Sequence, residues 1–177
     1  MGLNLLAWAA LGYFVGALPS AILATRLPRW GQAPPSQGGP ANAVAVALDI
    51  AKGALLAWLA SQFAWSAYAV TAVGFMAVVG QGWPVWTPKR GSTGLPTAIG
   101  ALAVAVPAAL LVGLAAWALV FALSRRPLTA TLVAASLTPL AAALLHYPAA
   151  DVLLALGAAL VVLMRQRQTS ETIGGLK

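Results

Sequence analysis

Residues 95–123, LPTAIGALAVAVPAALLVGLAAWALVFAL, form an apolar run of twenty-nine residues with Pro107 near its middle. One unbroken helix of that length would reach about 43 Å, against a hydrocarbon core of about 30 Å. It would also put Arg125 and Arg126 on the opposite side of a bilayer from Lys89 and Arg90, against the tendency of cationic loops to share one face. A break near Pro107 removes both conflicts. Residues 95–106 then make a short fourth segment and residues 108–123 a fifth, returning the chain to the basic side, with the short pieces packed inside the bundle.

Composition agrees with a membrane reading. Hydrophobic residues make up 61% of the 177 and charged residues 7%, whereas about a quarter of a soluble globule is charged. The chain is expected to be all-α: one polytopic helical bundle spanning 1–177 as a single transmembrane domain, with about seven membrane segments. The first segment is residues 3–25, kinked at its end by Pro19 and Ser20 and bearing Gly12 and Gly16 at a spacing suited to close helix packing. Residues 41–60, 64–79, 128–145 and 152–164 supply the second, third, sixth and seventh. Cations follow apolar runs at Arg26 and Arg29, Lys89 and Arg90, Arg125 and Arg126, and Arg165 and Arg167. Placing them all in the cytoplasm leaves the N-terminus outside and the C-terminus inside. The net charge of +7 follows from this topology, so no nucleic acid is implied. With no cysteine, one histidine and three acids, the chain offers no thiolate chemistry and no metal site.

Two places hold chemistry. Residues 80–100, GQGWPVWTPKRGSTGLPTAIG, are the longest polar, glycine-rich and basic interruption. Trp83 and Trp86 read as interfacial anchors, and Gly91, Ser92, Thr93 and Gly94 precede a new apolar helix whose N-terminus favours an anion. The loop thus reads as a phosphate cradle with Arg90 as its cation; it lacks the G-x-x-x-x-G-K-[ST] pattern of a nucleotide site. The second place is the pair Asp49 and Lys52, the ionisable residues inside the run 41–60. Three apart on a helix, they face one another, either as a functional pair or as a structural one.

Taken together, the motifs resemble those of the bacterial acyl-phosphate-dependent glycerol-3-phosphate acyltransferases, the PlsY family. Gly80-Gln81-Gly82-Trp83-Pro84-Val85 resembles that family's G-H-x-x-P-V, and residues 90–100 align without a gap to K-G-G-K-G-V-A-T-A-L-G. Leu48-Asp49-Ile50-Ala51-Lys52-Gly53 matches L-D-x-x-K-G. Gly16-Ala17-Leu18-Pro19 is similar to G-S-x-P, residues 36–42, SQGGPAN, are similar to G-S-G-N-x-G-A-T-N, and Tyr147-Pro148 precedes the last segment as in the family. The resemblance implies a seven-span bundle in the bacterial inner (plasma) membrane. It implies transfer of an acyl group from acyl phosphate to glycerol 3-phosphate, giving lysophosphatidic acid for phospholipid synthesis, with no cofactor and no metal.

It also implies a phosphate-binding set of Ser36, Asn42, Arg90, Gly91, Ser92, Thr93, Gly94, Arg165 and Arg167. The chain departs from the pattern at four positions in three motifs. Gln81 replaces the motif histidine, Thr93 replaces the motif lysine, and in Arg165-Gln166-Arg167-Gln168-Thr169 the closing R-H-R-x-N loses its histidine and asparagine. The segment after Asn42 is also shorter. No catalytic residue is therefore assigned, Asp49 and Lys52 being the candidates. The alternative is a catalytically inert relative that binds an anionic lipid or a partner protein in the membrane.

Overall fold

The computed structural model describes residues 2–20, 40–64, 66–86 and 92–174. Among them the regular elements are all helical: α1 Gly2–Gly16, α2 Pro40–Phe63, α3 Ala67–Gly82, α4 Leu95–Ala105, α5 Pro107–Ser124, α6 Pro127–Leu144 and α7 Ala149–Gly174. The apolar run of residues 95–123 is broken where the bilayer argument requires. Val106 leaves helical geometry at φ −137 and ψ 59, and Pro107 opens α5. Proline at a first helical position loses nothing, since its missing N–H would have had no partner there.

Most expected boundaries shift by a few residues, and two move by more than two turns. The first helix stops at Gly16 and does not run to residue 25 as a kinked rod: Ala17 makes the last helical bond, to the Tyr13 carbonyl at 2.8 Å. Leu18 precedes Pro19, which disfavours the helical region, so the chain turns out of the helix here. The last helix, expected to end at Met164, runs on to Gly174. Arg165 to Thr172 contain no breaker, and the first glycine after Gly157 is Gly174 itself. Arg165 and Arg167 thus stand on a helix and not in a tail.

The interior is built from small side chains. Ala57, Ala77, Ala101, Ala109 and Ala142 are fully buried, whereas Leu6, Leu111, Leu123, Leu144 and Leu160 are each more than 60% exposed. That inversion suits a bundle whose solvent is lipid, where close backbone approach replaces burial of large apolar groups as the driving force. Gly12 and Gly16 lie against the Val73 and Ala77 carbonyls of α3, and Gly80 lies against the Tyr13 carbonyl of α1. Across the bundle Gly53 meets the Thr97 carbonyl and Gly100 meets that of Ile50, so α2 and α4 cross main chain to main chain.

Among the described residues, four helices are long and apolar enough to cross a membrane: Ala43–Phe63, Pro107–Ser124, Pro127–Leu144 and Ala149–Gln168. The helices α1, α3 and α4 are apolar but shorter. The protein is an all-helical, multi-pass membrane protein.

The turns sort into two ends. At one, Ser61, Ser66, Ala105 and Asp151 line a common pocket, and the Ala108 amide donates to the Tyr147 hydroxyl across the α4/α5 and α6/α7 corners at 3.3 Å. At the other lie the chain ends of α1 and α3, residues 92–94, the tight turn at Arg125 and Arg126, and Arg165.

Candidate functional site

The break in α1 exposes carbonyls that a continuing helix would have used. Lys52 takes them: its ammonium donates to the Gly16 carbonyl at 3.0 Å and the Leu18 carbonyl at 3.1 Å, and to Ser20 Oγ at 3.2 Å. The same ammonium pairs with Asp49 Oδ1 at 2.7 Å, and Ser20 donates its hydroxyl to that carboxylate. The Lys52 and Asp49 side chains are 12% and 14% exposed, so this pair is mostly withdrawn from water. Such a pair stabilises only when further hydrogen bonds satisfy both ions, and here the broken helix end and Ser20 do so.

From Asp49 the connections run toward the glycine loop. The fully buried Thr97 donates its hydroxyl to the Asp49 carbonyl at 3.1 Å, and its amide donates to Gln81 Oε1 at 3.4 Å. Gln81, 6% exposed, also accepts the Ser92 amide on its main-chain oxygen at 3.2 Å. One glutamine therefore holds both the loop and the first turn of α4. In the sequence Gln81 reads only as a lost histidine. The signal that it does more was a lone carboxamide between Gly80 and Gly82 at the end of an apolar run.

Arg165 closes the arrangement from α7. Its Nε donates to the Ser92 carbonyl at 3.3 Å, Nη1 donates to Gln168 Oε1 at 3.0 Å, and the guanidinium lies 5.3 Å from the centre of the Trp83 ring. The Trp83 carbonyl in turn accepts the Tyr13 hydroxyl at 3.0 Å. On the same helical turn as Arg165, Gln166 keeps a buried side-chain oxygen without a partner among the described residues. Arg167 is exposed, one residue further on.

The loop itself is more closed than its glycines suggest. Gly94, at φ 75, caps α4 in the left-handed region that glycine enters without strain. Its amide donates to Ser92 Oγ at 3.3 Å, and the Leu95 amide donates to Thr93 Oγ1 at 3.4 Å. Position 96 is proline, without an N–H, and the Thr97 amide is on Gln81. Several amides expected to face an anion are therefore satisfied within the chain, by bonds long enough to be exchanged for a charged ligand.

The structure brings together Asp49, Lys52, Ser92, Thr93, Gly94 and Arg165 at one end of the bundle. Ser36, Arg90 and Gly91 lie outside the described residues, and Asn42 falls in the first turn of α2. Groups of three or more metal-ligating side chains are absent among the described residues.

The chemistry available is a guanidinium and a self-capped helix N-terminus at a polar rim, with an apolar cavity of about 250 Å³ directly behind Leu95. A family model described as glycerol-3-phosphate acyltransferase matches residues 36–174. A glycerol-3-phosphate acyltransferase of Gloeobacter violaceus is 33% identical, over 94% of this chain and 89% of that protein. One from Brucella anthropi is 28% identical over 99% and 92%. The bundle superposes on crystal structures of PlsY, an integral membrane glycerol 3-phosphate acyltransferase, with TM-scores of 0.81 for its lysophosphatidic acid form and 0.80 for its glycerol 3-phosphate form. Each superposition covers 96% of this chain and 91% of that one at 20% identity. With its motifs in order and the match running nearly end to end, this chain belongs to the glycerol-3-phosphate acyltransferase family.

Proposed function

We propose that the protein transfers an acyl group from an acyl phosphate to glycerol 3-phosphate, releasing lysophosphatidic acid and phosphate, at the loop end of the bundle. The observation that carries this reading is the juxtaposition of the Arg165 guanidinium, held against the Ser92 carbonyl, with an apolar cavity beginning at Leu95. An amphiphilic donor needs that pairing. The phosphates are bound by Arg90 and the segment Gly91, Ser92, Thr93 and Gly94, with Ser36, Asn42, Arg165 and Arg167 as further phosphate ligands.

The glycerol hydroxyl attacks the acyl carbonyl, the new ester C–O bond forms, and the bond to phosphate breaks. An acyl phosphate is already activated, so holding the two substrates in attack geometry supplies much of the rate. Gln166 offers a buried acceptor that orients the hydroxyl but cannot ionise. The proton therefore leaves with the departing phosphate, which is a stronger base than the acyl phosphate from which it comes. Asp49 and Lys52 act from behind the rim by fixing α1 against α2.

By the charge of its turns the loop end faces the cytoplasm of a bacterial inner membrane, with seven crossings and an external N-terminus. Purified protein in lipid nanodiscs, given an acyl phosphate and labelled glycerol 3-phosphate, is expected to form lysophosphatidic acid. It is also expected to restore growth to a strain lacking the first acylation of glycerol 3-phosphate. Folded protein that does neither would overturn the proposal.

A further inference from the structure

The cavity behind the glycine loop is walled by α4 and α7 on one side and the α5/α6 pair on the other. Helix register gives it a direction. Leu95, Trp117 and Val162 lie toward the loop end, Val162 one turn before Arg165. Leu102 lies about 10 Å deeper along α4 than Leu95, level with Leu110 and Ala155 near the Pro107 corner. Beyond these, Val106, Ala109 and Leu154 are fully buried, so the deep end is shut by packed core.

The few polar groups on the walls are turned back into the protein. Thr138 Oγ1 donates to the Ala134 carbonyl at 2.8 Å, Thr131 Oγ1 donates to the Pro127 carbonyl at 2.9 Å, and Trp117 Nε1 donates to Thr131 Oγ1 at 3.1 Å. A ligand here is offered hydrocarbon surface and no hydrogen bond. Since a cavity of about 150 Å³ takes the six carbons of benzene, 250 Å³ takes about ten.

With the acyl chain of the donor in this cavity, as the acyltransferase reading requires, we infer that Leu102 and Leu110 at its closed end set which chain length is transferred best. The inference rests on the acyltransferase reading and adds the specificity determinants to it. Leu110→Ala should move the optimum of a homologous series of saturated acyl phosphates to longer chains, raising the ratio of long-chain to short-chain kcat/KM about tenfold. Ala135→Leu, on the half-buried α6 wall, fills the cavity without removing core, and should move the optimum to shorter chains by a similar factor.

Binding is read separately, with an alkyl phosphonate carrying a diazirine on its last carbon. Photolabel is expected on Leu102 or Leu110. Absence of transfer from any donor would overturn the acyltransferase reading, and the label would then still decide whether the cavity holds a chain. Transfer with unchanged length profiles in both variants would overturn this inference alone. So would label confined to lipid-facing positions such as Leu111 and Leu119.

Discussion

Arg165 makes three interactions that a lysine cannot combine: donation from Nε, donation from Nη1, and a planar cation over Trp83. Replacing it with alanine should raise KM for glycerol 3-phosphate about tenfold to a hundredfold, the worth of a charge-assisted contact. Arg165→Lys should recover only part of this. Arg125→Ala, at an exposed turn, should change KM by less than twofold, and equal losses at both arginines in steady-state kinetics would reduce the site to a diffuse basic surface. For the pair at the broken end of α1, Lys52→Met leaves Asp49 buried without its counter-ion and should cost about 3 to 5 kcal/mol. The drop in thermal unfolding midpoint should be larger than for Lys52→Met combined with Asp49→Asn. The pairing of Asp49 with Lys52 was legible because two residues three apart share a helix face. Their tie to Gly16, Leu18 and Ser20 was not, because sequences thirty residues distant give no sign of meeting. Gln81 was illegible for the opposite reason: read against a motif it registers as a missing histidine, and only the packing shows which two amides it holds.

At the scale of helices, the legible boundaries were those set by a length conflict or by proline. The run 95–123 had to break, since a membrane limits a helix in a way that water does not, and it breaks at Val106. The end of α1 depended on whether Pro19 kinks or stops the helix; it stops it, and Lys52 satisfies the opened carbonyls from a different element. Where helices approach main chain to main chain, single methyl groups should be decisive. A Cβ at Gly100 would strike the Ile50 carbonyl and lie 2.8 Å from the Ala54 nitrogen, both backbone atoms of α2. Gly100→Ala should therefore lower stability by about 1 to 3 kcal/mol or more. At Gly82 the nearest atom is Arg165 Cγ at 3.4 Å, part of a flexible side chain, and Gly82→Ala should unfold within a degree or two of the parent. Thermal unfolding in detergent distinguishes them, and equal midpoints would mean that the α2/α4 crossing yields more readily than its geometry implies.

For the molecule as a whole the question is which end faces the cytoplasm. Arg125, Arg126, Arg165 and Arg167 belong to the end that carries the glycine loop, while the turns at residues 64–66 and 145–148 carry Ser66, His146 and Tyr147 and no lysine or arginine. Cationic turns are retained on the cytoplasmic side, so the loop end is expected inside. The reading also has a mechanical demand. At 11 residues α4 spans about 16 Å, too short to face lipid across the whole core, so α4 must be sheltered by its neighbours; its tight crossing with α2 and the full burial of Thr97 and Ala101 meet that demand. Because the chain contains no cysteine, single cysteines report cleanly. In intact cells a membrane-impermeant maleimide should label a cysteine at Ser66 and at Asn4, and should label one at Arg125 or Arg167 only after the membrane is opened. Labelling of position 125 from outside would reverse the α5/α6 turn and put the proposed substrate rim on the wrong side for a soluble cytoplasmic acceptor. It would remove the topology and the reaction assigned to that face together.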